Sequence, residues 1–510
     1  MITPEDTGLG AHLQRVLALS PESVAVEYQG LKVTWGELGE AAASVERLLA
    51  ESGIDSQAPV GWAARNRPAA VASFVALLLS ERMVAPLRPA YAVASFRDDI
   101  RSQRLAAVVG EPRDWVGEGV IEAAREAGTL GIEISGPPFA VRLVSGLEAL
   151  GPGPHREPMP GHVIERMTSG TTGAPKRIPV KRDVLIPALR AGATPSEGKD
   201  RPLALQRSPA LLFKPFSHAG GMYGLLLALY QARPIVLFEK FSVKEWVAAV
   251  KAYRPKAASL VPTMIRMLLD SDTDPADISS LLAIRSGTAP LEPEVQAQFE
   301  ARFGIPILID YSAAEFIGGL AGWSIQDHRA HGASKRGSVG RAKSDVQIRT
   351  VSLDCFEPQP AGETGLIEIK SDRYGPDWIR TSDLAAIDAD GFIFLKGRAD
   401  DAINRGGFKI LPEDVAAILR SHPAVNDAAV VAMPDARLGE VPLAVIELAD
   451  GATPPARDEM DALVRRHLPA YMAPVDYRFV EALPRTASLK ISRPELKAML
   501  AFGDQTPTNE

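Results

Sequence analysis

The stretch Met167-Thr168-Ser169-Gly170-Thr171-Thr172-Gly173-Ala174-Pro175-Lys176 decides most of what can be predicted about this chain. It combines two glycines, three threonines, a serine and a lysine. Glycine lets backbone N–H groups approach an anion closely, and hydroxyl and ammonium groups add donors that suit phosphate oxygens. The stretch therefore predicts a loop that binds polyphosphate. The alternative is a flexible surface loop rich in glycine and threonine.

The stretch does not fit the P-loop pattern G-x-x-x-x-G-K-[ST]. Pro175 rather than a glycine precedes Lys176, and Arg177 follows it in place of serine or threonine. A P-loop NTPase is therefore disfavoured.

Length and composition predict a soluble globular protein with two or more domains. The chain has 510 residues, of which 46% are hydrophobic and 23% charged. Its formal net charge of −7 gives no reason to expect nucleic-acid binding, which usually needs a basic face.

Nothing in the sequence suggests export or membrane insertion. The first residues, Met-Ile-Thr-Pro-Glu-Asp, lack the basic-then-apolar order of a signal peptide. The longest largely apolar run, Ala69 to Leu79, is too short to span a bilayer, so we expect no integral membrane segment. The single cysteine, Cys355, cannot form an internal disulfide or a metal cluster, which fits a cytoplasmic location.

Alternating strand and helix patterns run from Leu203 to Glu315 and predict a parallel sheet covered by helices on both faces. Ser217 is predicted to cap a helix that starts near Gly220. Ligands of such sheets bind at the carboxyl ends of the strands. The segments Ser286–Pro290 and Tyr311–Glu315 are predicted to lie there.

Hairpin patterns replace the helices from Val339 to Leu395, with Asp390-Gly391 as a strong turn signal. The fold class predicted is α/β. A large N-terminal domain, residues 1–397, contains the parallel-sheet βα units and a small β-barrel-like part. A small mobile α+β domain, residues 398–510, follows it.

Several short motifs occur in a fixed order along the chain: Thr168–Lys176, Ser286–Thr288, Tyr311–Glu315, Thr381-Ser382-Asp383, Gly397–Asp401 and Lys490. Together they resemble the motifs of the adenylate-forming superfamily, which includes acyl-CoA synthetases, peptide-synthetase adenylation domains and firefly luciferase. The resemblance runs from near Val24 to Leu500 and favours the acyl-CoA synthetase branch.

This resemblance implies a set of residues that bind ATP and coenzyme A: Thr168, Ser169, Gly170, Thr171, Thr172, Gly173, Lys176, Ser286, Gly287, Thr288, Asp310, Tyr311, Ser312, Ala313, Ala314, Asp383, Arg398 and Gly407. Within that set Asp383 would accept the ribose hydroxyls and Gly407 would line the pantetheine tunnel. Glu315 would help to hold Mg²⁺, Lys490 would be the catalytic lysine, and Asp400 would be the hinge.

The acid pocket is expected around His218, which the resemblance places beside the acyl group as a second catalytic and substrate-binding residue. Gly221, Met222, Gly318 and Gly319 suggest a roomy apolar pocket. No aspartate stands where amino-acid-activating relatives hold the α-ammonium group. We therefore expect a fatty, aryl or polycyclic acid rather than an amino acid.

Taken singly, each of these residues has an ordinary structural explanation. His218 could be a core histidine, Glu315 a solvated helix start, Asp383 a turn residue and Lys490 an exposed lysine. Four positions also depart from the family pattern: Arg177, Ala314, Ser382 and Leu489. The retained Lys490 nevertheless predicts an active enzyme.

The function expected is an ATP- and Mg²⁺-dependent acid–CoA ligase that acts through an acyl-AMP intermediate. Its partner is a small-molecule carboxylic acid, and a homodimer is left open. One alternative passes the acyl group to an acyl carrier protein or stops at the adenylate. Another is a non-catalytic adenylate-binding protein.

Overall fold

The computed structural model describes residues 4–89, 93–167, 176–193, 202–313, 315–486 and 489–503. Within this part of the chain, no helix is long and apolar enough to cross a membrane. The predicted phosphate loop, Thr168 to Pro175, and the predicted nucleotide-binding residue Ala314 lie outside the described residues.

The strands follow in chain order: β1 (Val24–Tyr28), β2 (Leu31–Thr34), β3 (Val60–Ala63), β4 (Val84–Leu87), β5 (Ala107–Gly110), β6 (Leu130–Ser135), β7 (Ala140–Leu143), β8 (His162–Met167), β9 (Arg177–Lys181), β10 (Ala210–Leu212), β11 (Ile235–Leu237), β12 (Ala257–Leu260), β13 (Ala283–Ser286), β14 (Ile307–Tyr311), β15 (Ala321–Gly322), β16 (Arg341–Ala342), β17 (Gln347–Val351), β18 (Thr364–Lys370), β19 (Ile379–Ile387), β20 (Ile393–Arg398), β21 (Ile403–Arg405), β22 (Phe408–Ile410), β23 (Val425–Asp435), β24 (Gly439–Leu448) and β25 (Asp476–Val480).

The α-helices follow in the same way: α1 (Pro4–Ala18), α2 (Trp35–Glu51), α3 (Pro68–Leu79), α4 (Val93–Gln103), α5 (Pro112–Trp115), α6 (Val120–Glu126), α7 (Arg182–Ala193), α8 (Ala219–Tyr230), α9 (Val243–Tyr253), α10 (Pro262–Leu269), α11 (Pro275–Ile278), α12 (Pro293–Phe303), α13 (Ile325–His331), α14 (Pro412–Arg420), α15 (Arg457–His467) and α16 (Arg493–Gly503). Short 3₁₀ helices cover Asp372–Tyr374, Ala399–Asp401 and Ala470–Met472.

The largest sheet has the strand order β7-β6-β5-β3-β4-β8-β9. Its five central strands are parallel, and only the edge strands β7 and β9 pair in the antiparallel sense. Parallel strands are usually covered on both faces, and every residue of β3, β4 and β5 is buried. Helices α2 and α3 pack against each other over the main core of this sheet.

The region from Leu203 to Glu315 contributes to two sheets, which corrects the prediction of a single one. Strands β10 and β11 pair in parallel with each other, and β11 also pairs with β1. The hairpin β1-β2 from the start of the chain therefore completes that sheet, a long-range pairing that local patterns do not reveal. Strands β12, β13 and β14 are the parallel part of a second sheet, extended by β15 and β16.

The hairpin region predicted to be barrel-like forms a four-stranded antiparallel sheet, β17-β18-β19-β20. The elements from β21 to α16 form a smaller C-terminal domain around a sheet in which β25 pairs in parallel with β24. This domain has hydrophobic cores of its own, one of them built around Ile410, Val415 and Ile446.

The starts of α2 and α8 differ in how they are capped. Thr34 caps α2 through a complete capping box with Glu37. Ser217 does not cap α8, because the helix begins at Ala219 and the residue just before it takes the N-cap position. His218 is its N-cap residue and makes no side-chain capping bond.

Candidate active site

A cleft of about 3180 Å³ lies between the large domain and the C-terminal domain. Its floor is the edge where the parallel strands β12, β13 and β14 end, and Ser259, Ser286 and Tyr311 line it there. Lys490, from the loop before α16, lines the same cleft. The position agrees with the rule that α/β sheets bind ligands at the carboxyl ends of their strands.

Asp383 is the centre of a polar network on one wall of the cleft. The Tyr311 hydroxyl donates a 2.6 Å hydrogen bond to one oxygen of this carboxylate. Arg398, which is paired with Asp383 across strands β19 and β20, donates a 3.3 Å hydrogen bond to the other oxygen. The backbone N–H of Asp383 donates to the Thr381 hydroxyl, which further fixes the position of the carboxylate. A preorganised acceptor of this kind suits the two hydroxyls of a ribose.

Arg398 also connects this network to the residues at the start of the C-terminal domain. Its guanidinium donates hydrogen bonds of 2.9 and 2.8 Å to Asp400. These bonds lower the pKa of Asp400, and with the nearby carboxylates they raise the pKa of Arg398. Arg398 is therefore a fixed cation beside the site, and its partner Asp400 is the residue predicted to be the hinge.

Lys490 is held by a short loop whose ends are tied together. Arg485 and Ile491 form an antiparallel bridge, and the Thr486 N–H donates a 2.7 Å hydrogen bond to the Lys490 carbonyl. The Arg485 guanidinium anchors the loop to Asp427 at 2.8 Å and to Glu447 at 3.2 Å. The loop also contacts the large domain, since the Thr263 hydroxyl donates to the Leu489 carbonyl at 3.3 Å.

Burial and neighbouring charges lower the pKa of three basic groups in the cleft. Burial is the main cause of the lowered pKa of Lys490; Arg398 adds to the effect and Asp383 opposes it. Burial, with Lys490 nearby, lowers the pKa of His218 to about 4, so its imidazole is neutral at neutral pH. Burial likewise lowers the pKa of Lys214 to about 8, against the attraction of Asp310.

The segment Ser286-Gly287-Thr288 forms a wall next to Tyr311. A Cβ atom at Gly287 would lie 2.7 Å from the Asp310 carbonyl oxygen, so only glycine fits there. Thr288 has φ +76°, a left-handed conformation that is uncommon for a threonine and is often found at ligand sites. Ser312 and Ala313 follow Tyr311 in the lining of the cleft.

The predicted metal ligand Glu315 is exposed and lines the cleft. The described residues contain no group of three or more His, Cys, Asp or Glu side chains that could hold a metal ion. A single carboxylate is nevertheless suited to Mg²⁺, which is usually held by one or two carboxylates together with substrate phosphates and water.

The predicted acid pocket is only partly as expected. His218, Gly221, Gly318 and Gly319 line the cleft, and a side chain at Gly221 would clash with the Pro215 carbonyl. Met222 does not line it: this side chain is fully buried in the main core. The reason is the helical turn of α8, which directs position 222 away from the face that carries Gly221.

Gly407 does not line the cleft in this arrangement of the domains. It lies in the tight β21-β22 turn with φ +92°, where L side chains are strained. No atom lies within 4 Å of where a Cβ would be. Backbone conformation is therefore one reason for glycine at this position, and a role of Gly407 in lining a pantetheine tunnel stays a prediction.

The departures from the family pattern that the structure describes have local explanations. Arg177 binds Asp99 at 3.1 Å and Glu165 at 3.0 Å, so it ties β9 to its neighbours. The Ser382 hydroxyl accepts a hydrogen bond from Arg398. Leu489 has φ +63°, and its side chain packs on the core of the large domain. Lys176, the last residue of the predicted phosphate loop, lines the cleft.

Lys214 and Lys343 are cleft-lining residues that the sequence analysis missed. The signal for Lys214 was available, because this lysine interrupts the apolar run from Ala210 to Phe216 at the end of a predicted strand. Lys343 has no comparable signal, since its position depends on how β16 folds back against Gly319.

Two family models match this chain. One, described as "AMP-binding enzyme", matches residues 13–374, and another, described as "AMP-binding enzyme C-terminal domain", matches residues 414–490. The 2-succinylbenzoate–CoA ligase of Bacillus pumilus is 26% identical over 94% of this chain and 96% of its own length. The 4-coumarate–CoA ligase-like 9 of Oryza sativa is 28% identical over 65% of this chain, and the match spans only 62% of that relative.

The fold is similar to that of solved structures. ATP-bound MatB from Rhodopseudomonas palustris superposes with a TM-score of 0.80, covering 96% of this chain and 99% of MatB at 21% sequence identity. At this level of identity the likeness concerns the fold alone.

Proposed function

Because this chain belongs to the family of AMP-binding enzymes, we propose that it is an ATP-dependent acid–CoA ligase that acts through an acyl-adenylate. The observation that carries the proposal is the position of Lys490, in the same cleft as the network of Tyr311, Asp383 and Arg398. A cation is needed where two anions, a carboxylate and a triphosphate, must meet.

In the first step an oxygen of the acid carboxylate attacks the α-phosphorus of ATP. The bond between the α-phosphorus and the bridging oxygen breaks, and pyrophosphate leaves with that electron pair. Lys490 stabilises the negative charge shared by the two reactants, an effect typically worth about 3 kcal/mol per donor in a preorganised site. The imidazole of His218, which is neutral at neutral pH, would donate one hydrogen bond to the carboxylate.

Under this proposal the nucleotide is held by residues from several of the motifs. Asp383 accepts the ribose hydroxyls, Tyr311 stacks on the base, and Ser286 to Thr288 form the wall beside it. Arg398 binds ribose or phosphate. The segment Thr168 to Lys176 supplies donors to the β- and γ-phosphates. Glu315 would hold Mg²⁺, which when bound neutralises charge on the departing pyrophosphate.

The second step joins the acyl group to coenzyme A. The thiol loses its proton to solvent, its sulfur attacks the acyl carbon, the bond from that carbon to the AMP oxygen breaks, and AMP leaves. Under this proposal residues 1–397 bind ATP and the acid, and residues 398–510 rotate about Asp400 between the steps. Rotation withdraws Lys490 and brings the turn that contains Gly407 to the cleft.

The acid binds with its hydrocarbon body against the apolar part of the cleft, where Phe316, Ile317, Tyr223 and Leu227 line the wall. Alkyl or aryl groups gain roughly 25 cal/mol per Å² of surface that they bury there. The experiment is a screen for pyrophosphate release across fatty, aryl and terpenoid acids, followed by detection of the CoA thioester. Release with some acid but no thioester with coenzyme A would contradict the ligase and favour a carrier-protein thiol or the adenylate as end product.

A further inference from the structure

The side chain of Lys343 lines the cleft beside Gly319, a residue of the predicted acid pocket. Its ammonium group lies so close to Gly319 that a side-chain carbon there would overlap it. Gly319 is thus the residue that makes room for this cation. Within the described part of the chain, no carboxylate lies within ion-pair distance of Lys343.

A second lysine, Lys214, lines the same cleft at the end of β10. Its ammonium group donates a 2.9 Å hydrogen bond to the Ser259 hydroxyl, a neutral partner. Asp310 acts electrostatically on both Lys214 and Lys343, and Lys490 acts on Lys214 as well.

The acidic groups nearby already have partners. Arg285 donates two 3.0 Å hydrogen bonds to Asp310. Arg373 forms a 3.0 Å ion pair with Asp345. The four cations are Arg285, Arg373, Lys214 and Lys343, and the two carboxylates near them are Asp310 and Asp345. The charges of Lys214 and Lys343 are therefore in excess. Burial lowers the pKa of both lysines, as expected for cations that are partly desolvated without a close counterion.

On the basis of the proposed ligase function, we propose that the acid substrate carries a second anionic group, which Lys343 and Lys214 bind. An example of such a group is the distal carboxylate of a dicarboxylic acid. The reacting carboxylate lies at Lys490, the hydrocarbon body spans the apolar wall, and the second anion neutralises the excess positive charge. A purely hydrocarbon tail would leave two ammonium groups desolvated, and a substrate ammonium group would be repelled.

The test compares dicarboxylic acids with neutral analogues of nearly the same size. Suberic and terephthalic acids are each compared with their monomethyl esters, and octanoic acid is included. The measurement is kcat/KM for pyrophosphate release. The wild type should prefer at least one diacid over its ester by about tenfold to hundredfold, the range expected for one or two hydrogen bonds to charged groups.

Two variants test whether the preference for the diacid depends on the ammonium group of Lys343. Lys343→Met should remove most of the preference by raising KM for the diacid, with little change in kcat or in the KM of the ester. Gly319→Ala should have the same effect while Lys343 is kept, because the methyl group displaces the ammonium. Lys32→Met, an exposed lysine outside the cleft, is the matched control.

The outcomes separate the two proposals. If monoacids or esters react but no diacid is preferred, or if Lys343→Met and Gly319→Ala leave the preference unchanged, the second-anion proposal is wrong and the ligase stands. If no acid in either class releases pyrophosphate, the ligase proposal fails and the second-anion proposal falls with it.

Discussion

The hydroxyl of Tyr311 donates a 2.6 Å hydrogen bond to the carboxylate of Asp383, and this bond joins two different sheets. Tyr311 ends β14 and Asp383 lies in β19. Burial and the adjacent carboxylate raise the pKa of Tyr311, so the phenol stays protonated and remains a donor. The bond thereby fixes the carboxylate next to the ring that would stack on the base.

Tyr311→Phe tests this relationship. The change keeps the ring but removes a hydrogen bond to a charged group, which is worth roughly 1.5–3 kcal/mol. The KM for ATP in pyrophosphate exchange should rise about tenfold or more, because Asp383 is then held less firmly for the ribose. Tyr253→Phe, outside the cleft, is the control. An unchanged KM for ATP would mean that Asp383 does not contact the nucleotide.

Leu489 combines an unfavourable backbone with favourable contacts, and two substitutions separate them. Its φ of +63° suits glycine, whereas its side chain packs on the large domain. Leu489→Ala keeps the strain and loses the contacts, while Leu489→Gly loses both. Adenylation should therefore be slower in Leu489→Ala than in Leu489→Gly, since strain of this kind costs on the order of 1 kcal/mol. Faster adenylation by the alanine variant would show that strain at position 489 does not matter.

The pH dependence of diacid use follows from Lys214, whose pKa burial lowers to about 8. Below that value the ammonium is charged and attracts an anion; as pH rises through it, the charge is lost. The KM for a diacid should therefore increase between pH 7 and pH 9, while the KM for its monomethyl ester should change less. In Lys214→Met the diacid KM should lose this increase. An identical profile in the variant would assign the titration to another group.

Asp400→Pro tests the proposed hinge. Asp400 lies in the short helix Ala399–Asp401, and proline would fix its φ and remove its N–H. Thioester formation should decline more than pyrophosphate release, because only the second step requires rotation. Asp400→Asn removes the charge that pairs with Arg398 but leaves the backbone free, so it should keep the two steps coupled. Equal slowing of both steps by proline would argue against a hinge at this position.

The family and the fold class could be predicted from the sequence, and both predictions are confirmed by the matching family models and by the similar solved structures. Helices α14 and α15 have local signals at their starts, since Pro412 opens α14 and acidic residues lie in the first turn of α15. Those signals are local. The pairing of β11 with β1 is a long-range contact. For that reason the prediction of a single parallel sheet from Leu203 to Glu315 was wrong.

The motifs predicted residues that the structure brings together in the cleft, such as Tyr311 and Asp383, and their roles in nucleotide binding stay predictions. Prediction failed where the role depends on packing between distant segments. Lys343 lies in the cleft because the chain after β16 packs against Gly319. Met222 is buried because it lies on the side of α8 that faces the core. The expectation of an apolar pocket did not include the cation of Lys343, which lies beside Gly319.

Separate measurement of the two half-reactions in Lys490→Ala tests the central claim most directly. Pyrophosphate release from ATP and an accepted acid should decrease by about a hundredfold or more, whereas thioester formation from pre-made acyl-AMP and coenzyme A should stay within about threefold of the wild type. Lys32→Ala is the control and should change neither. Equal losses in both half-reactions, or unimpaired pyrophosphate release, would contradict the claim that Lys490 brings the carboxylate and ATP together.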